Sequence, residues 1–173
     1  MVQRRQIAYS TFNARSEEFT GKPAFRDPWR RSHRCLVVTD GFYEWKKLDE
    51  KGKNKQPYSI AMANGGQMVM AGLWSLWKSP ANGEEILSCT ILTCGANKAM
   101  GELHDRMPVI LDDADWPKWL GEEPATEAEL LELLKPCPDE ALNIWPVDKA
   151  VGNVRNKGRQ LITPLEDIAS ALL

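Results

Sequence analysis

Four short clusters in this 173-residue chain hold side chains that can move protons or bind anions. Glu44 lies between Tyr43 and Trp45. A carboxylate shielded from water by aromatic neighbours keeps its proton more readily and can donate it. Facing water at a sheet edge, it would instead pair with Lys46 or Lys47. His104 opens His104-Asp105-Arg106-Met107-Pro108, and an imidazole passes protons in either direction near neutrality. It serves equally well as a structural cap on a turn. Asn13-Ala14-Arg15 sets an amide two residues from a guanidinium. The amide can fix a sugar hydroxyl or carbonyl, and the guanidinium can hold a phosphate through two parallel hydrogen bonds. The other reading of Asn13 is a helix N-cap. The fourth cluster is the basic loop at residues 152–158, with Asn153 and Arg155.

The elements that must position these groups are legible in part. Residues 34–47 are the most strand-like run: Val37, Val38 and Thr39 favour the pleated backbone, and Phe42, Tyr43 and Trp45 extend it. Gly41 interrupts it, which marks a bulge or a close backbone approach. Residues 6–12 read as a strand, 13–19 as a short helical turn, and 21–34 as a loop containing Pro, Arg and Trp29. A charged turn spans 48–55. Residues 58–63 and 68–74 read as a hairpin around Asn64-Gly65-Gly66, a sequence suited to positive φ. Further strands are expected at 86–93, near Val109 and at 144–147, with a short helix over 97–103. Thr126 and Glu129 form a capping-box pattern for a helix over 126–135, with Leu130, Leu133 and Leu134 as its buried stripe. A closing helix is expected near 165–173.

A chain of this length forms one domain with a substantial core. Its 43% hydrophobic content and mixed charges fit a globular protein. No apolar run reaches transmembrane length, so no membrane partner is expected, and no apolar signal core stands at the amino terminus. Cys35, Cys89, Cys94 and Cys137 form no CxxC pair, and with His33 and His104 they make a poor zinc set. The expectation is buried, reduced thiols in a cytoplasmic protein with no metal and no cofactor. His-Asp occurs in metal phosphohydrolases too, but those need further ligands that this sequence does not supply. The net charge of −2 hides a polarity. Residues 1–60 hold 13 Lys/Arg against 7 Asp/Glu, whereas residues 101–143 hold 3 against 12. Residues 144–160 are basic again, and the two basic segments read either as one anion-binding face or as scattered solvated charge.

Taken together, five motifs occur in the order and rough spacing of one family. They are Phe12-Asn13-Ala14-Arg15-Ser16-Glu17, Arg34-Cys35 leading into Asp40-Gly41-Phe42-Tyr43-Glu44-Trp45, Leu92-Thr93 with Ala96-Asn97, His104-Asp105-Arg106-Met107-Pro108, and Val151-Gly152-Asn153-Val154-Arg155-Asn156. The chain resembles the SOS response-associated peptidase (SRAP) family of abasic-site processing proteins, most strongly over residues 10–164. The resemblance implies a compact α+β domain around a β-barrel-like sheet, and single-stranded DNA with abasic sites as the partner. In that family a cysteine after the initiator methionine attacks the ring-opened sugar with its α-amine, and its thiol closes a thiazolidine that links protein to DNA. By the same resemblance Asn13, Glu44 and His104 are the catalytic residues. Asn13 would orient the opened sugar, Glu44 would transfer a proton in ring opening, and His104 would serve the sugar oxygen and the Schiff base. Arg15, Trp45, Arg106, Asn153 and Arg155 would bind DNA.

Family members carry a segment beginning Met-Cys-Gly-Arg ahead of the Asn-Ala-Arg motif, whereas this sequence begins Met1-Val2-Gln3. The expectation is a fragment, or a variant that kept the pocket and lost the crosslink. No internal cysteine offers amine and thiol on one terminal residue, and Cys35 reads as core. Two other functions stay open at this point: a non-catalytic single-stranded nucleic-acid binding module, and a peptidase acting on other proteins. Oligomeric state is not encoded in any recognisable pattern.

Overall fold

The computed structural model describes residues 11–165. Its strands are β1 (Asn13–Arg15), β2 (Arg34–Thr39), β3 (Phe42–Lys47), β4 (Lys55–Met62), β5 (Met68–Lys78), β6 (Glu85–Gly95), β7 (Arg106–Pro108) and β8 (Leu142–Pro146). The helices are short: α1 (Pro23–Arg30), α2 (Lys98–Gly101), α3 (Trp116–Leu120) and α4 (Glu127–Glu132). The fold is therefore α+β, and hydrogen bonding sorts the strands into two sheets with no closed barrel among the described residues. The described residues fall into two compact units. One holds residues up to Val38, with Val69–Gly95 and Arg106–Cys137; the other holds Thr39–Met68, Ala96–Asp105 and residues from Pro138 onward.

In the first unit the sheet runs β1-β6-β5-β2, with β7 also paired to β6. β1 lies parallel to β6, Asn13 opposite Ile91 and Arg15 opposite Thr93. Alternation along so short a strand buries Ala14 and leaves Asn13 and Arg15 exposed. Asn13 is thus a strand residue, not a helix cap. The expected helical turn over 13–19 is replaced by this strand, a turn, and a 3-10 helix at Phe19–Gly21.

The loop expected over 21–34 contains α1. Pro23 occupies the first turn, where a missing N–H costs nothing. Phe25, Pro28 and Trp29 then fall at helical spacing on the buried side. The charged Arg26, Asp27 and Arg30 interleaved with and following them hide that stripe from a reading by composition. Trp29 packs edge-on to Phe19 at 5.1 Å and against Trp119 at 6.1 Å. Its Nε1 donates to Glu127 at 2.8 Å. Trp119 is fully buried and donates Nε1 to the Cys35 carbonyl at 3.0 Å, which ties α3 to β2. α4 begins with the expected reciprocal cap between Thr126 and Glu129 and ends sooner than its apolar pattern suggests, at Glu132.

In the second unit β4 is central, with β3 on one side and β8 on the other. The hairpin expected around residues 64–66 does not form. The tight turn is there, with Gly65 at φ 73°, but β4 pairs with β3 and β8 while β5 pairs with β6. The run 34–47 likewise divides into β2 and β3, in different sheets, at Asp40-Gly41. There the Thr39 hydroxyl donates to the Gly41 carbonyl at 2.9 Å and accepts from its N–H at 3.3 Å. A Cβ on Gly41 would lie 2.3 Å from the Ile60 carbonyl oxygen, so the expected close backbone approach is real.

The thiols are not uniformly buried. Cys94 is buried, Cys35 and Cys137 are half-buried, and Cys89 is exposed. Burial pushes the Cys35 and Cys94 thiols up to about 11. β6 carries Cys89 on its outer half, where Ile86 and Leu87 are also exposed. The strand expected over 86–93 is therefore present but buried only in its second half. No helix among the described residues is long and apolar enough to cross a membrane. The closing helix near 165–173 and most of the strand over 6–12 lie outside the described residues.

Gly41→Ala should destabilise the protein by about 2–4 kcal/mol, because backbone rather than a flexible side chain must give way. Urea denaturation checks this. A loss below about 0.5 kcal/mol, the range of a neutral surface change, would contradict the close approach.

Candidate functional site

In the second unit a cleft of about 600 Å³ is lined by Glu44, Trp45, Lys46, Lys47, Lys55 and residues 101–105, including His104. Two of the three residues expected to be catalytic therefore line one cleft. Glu44 is half-buried on β3, and its Oε1 accepts the Trp45 backbone N–H at 3.0 Å. Period-2 alternation sends Glu44 and Trp45 to opposite faces of β3, and β3 is an edge strand, so the cleft reaches around that edge.

His104 is held by the segment 96–105. Asn97 caps α2 by accepting the Met100 N–H at 2.9 Å, and Asp139 accepts the Ala99 N–H at 3.0 Å. Met100 is fully buried and anchors the helix. The Met100 carbonyl accepts the His104 N–H at 2.9 Å, and the Ala96 N–H reaches the Asp105 carbonyl at 3.0 Å, closing the segment into a loop. His104 Nδ1 stands 3.1 Å from Asp105 Oδ1, which favours a proton on that nitrogen. Lys46, on the Glu44 face, lies 3.6 Å from Glu102.

Asn153 and Arg155 follow a 3-10 helix at Lys149–Gly152, in an exposed loop. Asn153 accepts the Arg155 N–H at 3.1 Å, and the Asn156 amide donates to the Ala150 carbonyl at 2.8 Å, so the loop is braced from within. Lys149 Nζ lies 3.3 Å from Asn54 Oδ1, which joins the two basic sequence segments at one point.

The first unit carries the remaining expected site residues. Asn13 and Arg15 both project from β1, and Arg15 Nη1 is 3.7 Å from Glu18. Arg106, expected to bind DNA, spends its guanidinium on the protein. Its two Nη atoms donate to the Glu17 carboxylate at 2.8 and 2.9 Å, and Nη2 also donates to the Thr93 carbonyl at 2.5 Å. Thr93 stands opposite Arg15 in the β1–β6 ladder, and its carbonyl also accepts the Ser16 N–H at 2.8 Å. Glu17 and Arg106 therefore pin the end of the strand that presents Asn13 and Arg15. The Arg106 hydrogen bond holds the Glu17 carboxyl below the ordinary glutamate value. In the sequence Glu17 stands at the end of a motif, and nothing local assigns it this task. Lys55 and Glu102 are equally inconspicuous there, because Lys55 comes to the cleft through its register opposite Lys47 and Glu102 through the fold of the segment that carries His104. No group of three or more His, Cys, Asp or Glu side chains able to hold a metal occurs among the described residues.

A family profile described as SOS response associated peptidase (SRAP) matches residues 1–154. The chain is 37% identical over 157 residues to a Bacillus subtilis (strain 168) protein named abasic site processing protein YoqW, covering 91% of this chain and 68% of that one. It is 31% identical over 180 residues to abasic site processing protein HMCES of Gallus gallus, covering 93% of this chain and 52% of that one. Among solved structures, a Bacteroides thetaiotaomicron protein superimposes with a TM-score of 0.82 at 29% identity, covering 92% of this chain and 68% of that one. A Bordetella bronchiseptica protein gives a TM-score of 0.69 at 30% identity, covering 79% of this chain and 64% of that one.

Because the Glu17 carboxyl is held below its ordinary value, its pair with Arg106 stabilises the fold at neutral pH. That contribution disappears as pH falls through the lowered value. Glu17 is about half exposed, so Glu17→Gln should cost no more than about 1 kcal/mol at neutral pH. Urea melts of wild type and variant, run from neutral to acid, should converge as pH falls. A gap that stays constant down to strong acid would show that the charge contributes nothing.

Proposed function

The chain belongs to the SOS response associated peptidase (SRAP) family, and from that membership we propose that it processes abasic sites in single-stranded DNA, with Glu44 and His104 as its acid–base pair. The observation that carries this reading is the cleft in which a half-buried carboxylate and an imidazole line one space. An abasic deoxyribose rests mostly as a cyclic hemiacetal. Opening it removes a proton from the anomeric hydroxyl, breaks the bond from that carbon to the ring oxygen, and delivers a proton to the ring oxygen. The products are an aldehyde and a free hydroxyl, and no other atom is gained or lost. Glu44 takes the first proton and His104 supplies the second, which is the division of labour a carboxylate–imidazole pair performs near neutrality.

The remaining assignments follow side-chain chemistry. The Trp45 indole on the edge strand offers a face to an unstacked base, a contact open only where the strand is single. The exposed guanidiniums of Arg15 and Arg155 suit phosphate, and the amides of Asn13 and Asn153 suit sugar or phosphate oxygens. Arg106 contributes at one remove, by holding the strand that bears Asn13 and Arg15.

The test is single-turnover processing, by the full-length protein at saturating concentration, of an oligonucleotide carrying one abasic site. Glu44→Gln and His104→Ala should each slow the reaction by about 10²- to 10⁴-fold with little change in binding. Arg15→Ala should weaken binding, more at low salt than at high, and leave the saturated rate nearly unchanged. If both cleft variants react at the wild-type rate, Glu44 and His104 are not the acid–base pair.

A further inference from the structure

The β3–β4 ladder ends with Lys47 directly opposite Lys55. Residues so paired have Cβ atoms about 5 Å apart, and like charges placed there repel. Nothing among the described residues relieves this. Neither ammonium forms an ion pair there, whereas the adjacent Lys46 reaches Glu102 at 3.6 Å. The connecting turn has two acids: Asp49 accepts the Lys53 and Asn54 N–H groups at 3.1 and 2.6 Å, and Glu50 is exposed and forms no ion pair with either lysine. That turn is ordered, with the Leu48 N–H on the Asn54 carbonyl at 2.9 Å and Gly52 at φ 61°. The Lys47 stem lies along it, its Cδ 3.5 Å from where a Cβ on Gly52 would stand. A third ammonium, Lys149, is brought to Asn54 at 3.3 Å.

Both lysines line the cleft that holds Glu44 and His104. Lys47 is two residues beyond Trp45 and so shares its face, about 6.6 Å further along the strand. Charge repulsion in a pre-ordered hairpin, at the rim of a cleft, describes a site completed by an anion. We propose that Lys47 and Lys55 form a phosphate clamp, holding a phosphodiester of the single strand next to the nucleotide whose base lies on Trp45 and whose sugar enters the cleft. The proposal rests on the abasic-site reading and adds a subsite to it. The clamp sets affinity and register of the strand and takes no part in the proton transfers.

Fluorescence anisotropy with a labelled single-stranded oligonucleotide, with and without one abasic site, tests it in the full-length protein over a range of salt. The double variant Lys47→Gln/Lys55→Gln should bind about tenfold more weakly at low salt, and its slope of log affinity against log salt should be shallower by about 0.7 for each phosphate no longer neutralised. Lys51→Gln/Lys53→Gln, which removes the same charge from the turn, should bind like wild type. Lys47→Arg/Lys55→Arg should restore binding. In the absence of DNA, Lys55→Gln alone should raise the thermal midpoint slightly, because the repulsion is relieved. If wild type binds and the Lys47/Lys55 variant binds equally well, the clamp is wrong and the Glu44–His104 reading stands. If the turn variant is as impaired as the clamp variant, the effect is diffuse charge and the clamp is again wrong. If wild type fails to bind single strands even at low salt, both the clamp and the function it rests on fail.

Discussion

The approach of Gly41 to the Ile60 carbonyl is the constraint on which the second unit's site depends. With no side chain between them, the chain can turn at Asp40-Gly41 while Thr39 satisfies both polar groups of Gly41 through one hydroxyl. The turn ends one strand and starts another in a different sheet, with Phe42 opposite Ile60. From that pair onward the register is fixed: Glu44 opposite Tyr58, Trp45 opposite Pro57, Lys47 opposite Lys55. A slip of one residue would exchange the faces of Glu44 and Trp45. One glycine therefore determines which side of an edge strand carries the carboxylate and which carries the indole.

Cations in this protein divide by whether the fold uses them. Arg106 is four-fifths covered and holds a bidentate carboxylate and a carbonyl; its role is to fix a strand end. Arg34 lies 5.7 and 5.9 Å from the Trp29 and Trp119 rings and donates to the Trp119 carbonyl, closing an aromatic core. Lys46 has Glu102. Lys47 and Lys55 are set against each other instead. A protein gains nothing in stability from such a pair. The same distinction separates Arg15, exposed beside a carboxylate 3.7 Å away, from Arg106, although both belong to the motifs that mark the family.

The sequence was most legible where local chemistry decides the outcome. The Thr126–Glu129 cap, the short helix after Ala96 and the Gly41 break depend on residues within a few positions of one another. It misled where partners come from far along the chain. Asn64-Gly65-Gly66 makes its turn, yet β4 is claimed on one side by β3 and on the other by β8, about eighty residues on. Residues 34–47 look like one strand with a bulge because β-propensity is high on both sides of Asp40-Gly41 and sheet membership leaves no local trace. α1 was hidden because its apolar stripe is only three residues wide and includes two side chains, Pro28 and Trp29, that are poor helix markers. Glu44 and His104 were legible one by one as chemistry, and only the family resemblance set them in one site, since sixty residues separate them in the chain.

That separation explains why the two need such different support. Glu44 sits in a ladder, and its backbone is fixed by pairing with Tyr58. His104 lies outside any strand. Its position is inherited from a four-residue helix, too short to be stable by itself. Two side-chain caps, Asn97 from within the segment and Asp139 from a later one, together with the buried Met100, supply what the helix lacks. The Asp139 cap and the Lys46–Glu102 pair tie this loop to parts of the chain beyond the segment's own residues. The carboxylate side of the cleft is thus held by a β-ladder, and the imidazole side by two caps and one buried side chain.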